Sequence, residues 1–443
     1  MFASPSPAES PRLTQVWWLD PANVFLCLVL PTALAAVITS PRAYDLYETT
    51  KHIGWNHFAL ICLGTLAFVV SCGVGRATSA SGTAISPDID TRLHRAVLLA
   101  GFLTVFGYVV WILVAMKRGF SLGAMTTIFN LNEDEAFRLK EEVFTTIPGV
   151  TTCMQFGQAT VILAMLPGMW RRPWVKPLLA ALLVFSLFRA LVASERLALI
   201  ELAVPVLLLG LRVTLLGKPV RPWVQRGLQL LPIVGVAGLI VFFGTFEYFR
   251  SWRYHKDKFD SIVDFTLWRL GGYYVTPWNN SAMFVDQVRQ WPLPYHTVES
   301  LWMFPLVKGS YQTLTQIDPR EVMTRLLYRH AQPELNNEGG LLAALLDFGL
   351  IGYALYWSAI GFISGRVYDG FRRGTLAGFL LFPIFYISAL EVPRLIYLSS
   401  TRTFPSLVLL ATVALIYTSA GRANSSASVT TPGSRGFGEA PCG

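Results

Sequence analysis

Charge is what this sequence has least of. Of its 443 residues, 14% are Asp, Glu, Lys or Arg and 53% are hydrophobic, and the mean hydropathy is +0.48. That balance leaves no room for a soluble domain of ordinary size. Short alternating strands are missing as well, which excludes a transmembrane barrel and leaves helices as the only way for a spanning chain to satisfy its backbone. Cysteine is sparse. Cys27, Cys62, Cys72, Cys153 and Cys442 include no close pair, and four of them lie inside or at the ends of apolar runs. Neither a disulfide framework nor a zinc site is supported, and these thiols read as small buried apolar groups. The chain also lacks a nucleotide-cradling Gly-rich loop, an HExxH and a GxSxG. No internal repeat is evident, which removes support for an inverted-repeat transporter.

What is present is a succession of apolar runs long enough to cross a bilayer. They predict an all-α polytopic membrane protein with about ten transmembrane helices, at roughly 22–39, 57–74, 96–116, 151–170, 177–193, 197–211, 228–246, 340–363, 376–392 and 404–420. One large extracytoplasmic loop separates helices seven and eight. The expected organisation is a cytoplasmic segment 1–21, transmembrane helices one to seven over 22–246, a large periplasmic loop 247–339, helices eight to ten over 340–420, and a disordered cytoplasmic tail 421–443.

Orientation follows from the short connections, because excess positive charge stays in the cytoplasm. With the N-terminus inside, the inner connections hold sixteen Lys or Arg and the outer ones nine, the long loop excluded. The formal charge of +9 is therefore mostly topogenic. Ten basic residues in the long loop are matched by ten acidic ones, so a nucleic-acid partner is excluded. The Asp88 and Asp90 pair falls on the cytoplasmic side, which makes metal-independent chemistry the default outside.

Candidate site residues gather on the outer face. Arg189 and Glu201 lie about 9 Å below a tight turn on neighbouring antiparallel helices, close enough to pair. Arg196 stands at the membrane surface, where a guanidinium can fork onto a phosphate. In the outer connection 117–150, Asp134, Glu135, Arg138 and Glu142 suggest a short amphipathic helix, with Arg138 the substrate candidate. The long loop opens with FRSWRYHKDK, placing Arg250 and Arg253 among aromatics, a composition suited to pyrophosphate and to stacked sugars. Further along, Arg269 precedes Gly-Gly and the pair Tyr273 and Tyr274, an aromatic wall for a sugar or a patch packed on the bilayer interface. The loop closes with REVMTRLLYRH, where Glu321, Arg325 and Arg329 share one helical stripe, and with Asn336 and Asn337 of NNEGG.

Three patches, TIPGVTTCMQFGQA, SERLALIELAVPVLLL and NNEGGLLAALLDFGLIGYALYWSAIGFISGRVYDG, resemble the oligosaccharide repeat unit polymerases, the O-antigen polymerases of the Wzy type. The resemblance implies a bacterial inner-membrane glycosyltransferase that needs no cofactor. Such an enzyme moves a growing glycan from undecaprenyl pyrophosphate to a lipid-linked repeat unit on the periplasmic face. Arg196, Arg250, Arg253, Arg325 and Arg329 would neutralise the leaving group. The implied partners are the undecaprenyl-pyrophosphate-linked glycan and the bilayer, with a chain-length regulator and a flippase alongside. Related O-antigen ligases carry a His at the head of the helix ending in a Gly-Leu-Ile-Gly-like turn. Aligning Gly349 and Gly352 with that turn puts Glu338 at the His position, which makes Glu338 the first choice of general base and His330 the second. An O-antigen ligase-like transferase and a polysaccharide flippase or transporter are the alternative readings.

A reporter fused near residue 290 should be active only outside the cytoplasm; activity inside would overturn this topology.

Overall fold

The computed structural model describes residues 16–79, 91–121, 123, 138–192, 195, 197–215, 222–288 and 290–429. Among them every regular element is a helix. In chain order the principal ones are α1 (Pro21–Ile38), α2 (Trp55–Ala77), α3 (Thr91–Lys117), α4 (Val150–Ala164), α5 (Val175–Val192) and α6 (Leu197–Leu215). They continue with α7 (Pro222–Arg250), α8 (Ile262–Gln287), α9 (Pro319–His330), α10 (Gly340–Arg373), α11 (Leu376–Glu391) and α12 (Phe404–Val429). Seven of them, α1, α2, α3, α5, α6, α7 and α10, are long and apolar enough to cross a membrane, while α4, α11 and the apolar part of α12 (Phe404–Tyr417) are shorter. Helix α12 runs on to Val429, past the point where a disordered tail is expected; residues 430–443 lie outside the described ones.

The most intimate pair is α2 with α10. A methyl group at Gly361 would collide with the backbone of Phe68, one at Gly365 with Cys72, and one at Gly75 with Phe362, so only hydrogen allows the two backbones to come this close. Tyr353 Oη donates to Leu60 O at 2.9 Å. From Leu60–Tyr353 through Phe68–Gly361 to Cys72–Gly365 both residue numbers rise together, so α2 and α10 run parallel and start at the same end of the bundle. The connection 39–54 and the long loop therefore share that end: Thr50 N donates to His330 O at 2.8 Å, and the Asn279 side chain accepts from His52 N and Ile53 N. At the opposite end Arg76 pairs with Asp20, Arg212 Nη1 donates to Arg372 O at 3.0 Å, and Arg373 pairs with Asp369.

Two prolines and a glycine shape the long helices. Pro232 has no N–H to give Leu228 O, and the Trp18 indole donates to that carbonyl instead at 2.7 Å. Pro21 begins α1 behind Asp20, whose side chain accepts from Ala22 N. Gly349 interrupts α10 with φ 66° and ψ −175°, a conformation open to glycine, and divides it into a short half-helix and a long one.

The long loop differs from expectation. Residues 262–287 of it form α8, a 26-residue helix whose stretch from Thr276 to Phe284 is buried against the bundle. Its sequence reads as polar because Thr276, Asn279, Asn280 and Ser281 face inward, and each finds a backbone partner. This helix crosses the ends of α7 and α1 and finishes beside the start of α2, where His57 meets Asp286 at 3.0 Å. It is a fixed roof, and the part of the loop free to act as a lid shrinks accordingly.

Gly361→Ala should cost about 1–3 kcal/mol by forcing α2 and α10 apart, read as a lower melting temperature in detergent. Gly210→Ala, where a Cβ meets nothing within 4 Å, should be neutral or mildly stabilising.

Candidate functional site

Glu338 lies just before the half-helix Gly340–Phe348, and it is Gly339 that takes the N-cap position. Gly339 N donates to Arg394 O and Gly340 N to Val392 O, both at 2.9 Å, which seats this corner on the turn between α11 and α12. The Glu338 side chain remains 36% exposed and stands 3.5 Å from Nδ1 of His296. Burial pushes its carboxyl up to about 8, Glu299 adds to the rise and Arg320 opposes it. Arg320 in turn holds Glu299 at 2.5 Å and donates to Tyr295 Oη at 3.1 Å.

His296 is the residue that sequence reasoning missed. Burial pushes its imidazole below the ordinary value, against the pull of Asp347 and Glu299. Its backbone is gripped from both sides: His296 N donates to Asp347 Oδ1 at 3.2 Å, and Ser399 Oγ donates to His296 O at 2.6 Å. Its Nε2 is buried without a hydrogen-bond partner. Asp347 also accepts from Tyr295 N at 2.9 Å and from Thr297 N and Oγ1 at 2.7 Å each. Four donors thus offset the cost of a buried carboxylate near a helix C-terminal end. The only sequence signal was an acidic residue inside an apolar run, next to the DFGLIG turn.

A second group joins this corner through Arg394. Its Nη1 donates to Glu391 at 2.8 Å, and its guanidinium lies 5.8 Å from the Tyr273 ring. Arg269 approaches the same ring at 5.9 Å and is itself fully buried between Glu247, at 3.5 Å, and Glu334. Tyr274 lies within electrostatic reach of the Glu391–Arg394 pair. Asn280 binds the carbonyls of Leu335 and Asn337 at 2.9 Å each, holding the strip that carries Asn336 and Asn337.

The expected pairing of Arg189 with Glu201 takes a different form. Arg189 binds Glu195 at 2.5 Å, while Glu201 is gripped by Arg402, whose Nε lies at 2.9 Å and which also reaches Glu195 at 3.1 Å. Tyr397 Oη donates to Glu201 at 2.6 Å and accepts from Gln158 at 2.8 Å. Two cations face two carboxylates, so this network is balanced as it stands. The turn after α5 brings Arg402, from the far end of the sequence, to the place that Arg189 was expected to fill.

His330 is set apart from Glu338. It lines an open cleft of about 770 Å³ with Asp45, Glu48, Lys51, Tyr328 and Arg329. Glu48 adopts φ 52°, the left-handed region. Lys51 caps the end of α1, donating to Val37 O at 2.7 Å and Thr39 O at 2.6 Å. His52 meets His330 edge to face at 5.3 Å, and burial followed by His330 pushes the His52 imidazole down. Arg325 pairs with Glu321 at 3.2 Å on an exposed face. Arg138 precedes the single turn Leu139–Val143. Arg196, residues 134–137 and the side chains of Arg250 and Arg253 lie outside the described residues. Among the described residues, no three His, Cys, Asp or Glu side chains are grouped to hold a metal ion.

Compared with known proteins, the chain matches no family model, no curated protein and no solved structure.

Asp347→Asn turns one acceptor oxygen into a donor and leaves at least one buried backbone N–H unmatched whichever way the amide turns, two if the nitrogen faces Tyr295 N and His296 N. We expect a loss of about 2 kcal/mol or more, measured as the change in melting temperature.

Proposed function

We propose that this chain is a metal-independent polysaccharide polymerase of the bacterial inner membrane, similar in design to the Wzy-type enzymes. It crosses ten times, with α4, α11 and α12 completing the seven longer spans. Arg76, Arg212, Arg372 and Arg373 mark the cytoplasmic end, and the long loop faces the periplasm.

The observation that carries the reading is Glu338, a partly exposed carboxyl with a raised pKa beside a buried imidazole at the loop-bearing end. In the proposed reaction the acceptor hydroxyl of the lipid-linked repeat unit gives its proton to the Glu338 carboxylate. Its oxygen forms the new bond to the anomeric carbon of the growing glycan. The bond from that carbon to the pyrophosphate breaks, and undecaprenyl pyrophosphate leaves with the electron pair. His296 fixes the orientation of Glu338. Arg320, which acts electrostatically on Glu338, and Arg394, whose carbonyl binds Gly339, are the cations proposed to receive the pyrophosphate charge. The open cleft holding Arg329 and His330 takes sugar units away from the reacting bond.

One observation favours the O-antigen ligase-like alternative: His296 supplies in space the imidazole that the sequence lacks at position 338. The product separates the two. Purified protein reconstituted with a lipid-linked repeat unit should yield a ladder of longer glycans if it is a polymerase, and a single transfer to a different acceptor if it is a ligase. Neither elongation nor a single transfer, with intact movement of the same lipid across the bilayer, would refute both in favour of a flippase.

Glu338→Gln should abolish the ladder while leaving membrane insertion intact. Because the active form is the carboxylate and its pKa is raised to about 8, the wild-type rate should climb as pH rises through 8 and fall below it. A rate that is flat between pH 6 and about 9 would remove Glu338 from the role of base.

A further inference from the structure

Helix α7 is held at its two ends and free between them. At one end Leu228 and Leu231 pack on the core, and the Trp17 and Trp18 indoles bind the carbonyls of Gln229 and Leu228. At the other, Phe243 packs on Tyr273 at 5.2 Å, Gly244 lies against Thr266, and Glu247 is buried beside Arg269. From Ile233 to Gly238 six consecutive residues are all exposed. Six residues cover every direction around a helix with 3.6 residues per turn, so the side turned towards the bundle is as uncovered as the side turned away. A Cβ added at Gly235 or Gly238 would meet nothing within 4 Å. The result is a window between α7 and the bundle. The six residues from Ile233 to Gly238 make it about 9 Å tall.

We infer that this window holds the polyprenyl chain of the lipid-linked substrate and guides its pyrophosphate to the corner of Glu338. The inference rests on the lipid-linked substrate proposed above. A second copy of the protein could cover only the outward side of α7, whereas the inward side calls for a slender apolar chain. The frame of the window leads to the site: Phe243 touches Tyr273, Arg394 lies over the same ring, and the Arg394 carbonyl binds Gly339, next to Glu338. Pro232 below, with Gly235 and Gly238 within, lets the helix bend as a chain passes.

The test uses full-length protein in nanodiscs and an undecaprenyl phosphate carrying a diazirine in its isoprenoid chain. Irradiation should label the segment 232–243, and unlabelled undecaprenyl phosphate should compete the label away while the same amount of phosphatidylethanolamine does not. A Gly235→Trp/Gly238→Trp variant, which fills the window, should lose the label. Competition by both lipids alike, or labelling confined to other helices, would overturn the inference. Glu338→Gln keeps the two proposals separate, since it should retain the label and lose the polymer. Wild-type protein that is specifically labelled but never polymerises would sink the catalytic reading alone. Protein that polymerises with no competable label in the segment 232–243 would sink the window alone.

Discussion

The backbone contact between α2 and α10 is the constraint on which the rest depends. Glycines at 75, 361 and 365 let two long helices run parallel at contact distance. Antiparallel neighbours need only a turn between them, but parallel neighbours need a return path. The chain provides it over residues 78–339. Because both helices start at one end, the connection before α2 and the long loop before α10 must meet there. The cleft between residues 41–53 and the end of α9 and the roof made by α8 are assembled from that meeting, and the corner at Glu338 is then seated on the turn after α11.

The membrane class and most span positions were legible, since an apolar run of about twenty residues has few other uses. Helix α8 was not. Its inward face carries Thr276, Asn279, Asn280 and Ser281, which hydropathy scores as loop. These side chains serve as connectors, fastening residues 50–53 on one side and 335–337 on the other. A helix buried to organise loops has the opposite composition from one buried to exclude water, and its period is hidden by the polar residues that do the organising. Glu338 could be singled out in the sequence because it is counted along the chain from the DFGLIG turn. His296 could not, because it stands forty-two positions away in the sequence and is brought to Glu338 by the grip of Asp347 and Ser399 on its loop.

The same logic explains which arginines could be anticipated. Arg196, Arg250, Arg253, Arg325 and Arg329 were expected as cations awaiting a pyrophosphate. Of these, Arg325 holds a carboxylate, as do Arg189, Arg269, Arg320, Arg394 and Arg402. An unpaired guanidinium at low dielectric carries a desolvation cost that folding alone cannot offset, so partners from distant parts of the chain are recruited. Sequence spacing reveals neighbours along one helix, such as Arg325 with Glu321. It is silent about Arg402 with Glu201, two hundred residues apart.

These pairs differ in how easily they can be exchanged. The Arg402–Glu201 pair is gripped twice and its carboxylate is 8% exposed, so opening it would strand a buried charge. Arg320 is 52% exposed and Glu299 30%, so water can stand in for either partner during an exchange. In the proposed reaction this difference couples leaving group to base. Arg320 depresses the Glu338 pKa while Glu299 raises it. When a pyrophosphate takes over the Arg320 charge, the depressing influence weakens and Glu299 is released beside Glu338. In that proposal the Glu338 carboxylate becomes a stronger base as the leaving group settles, so the Arg320–Glu299 pair links the two.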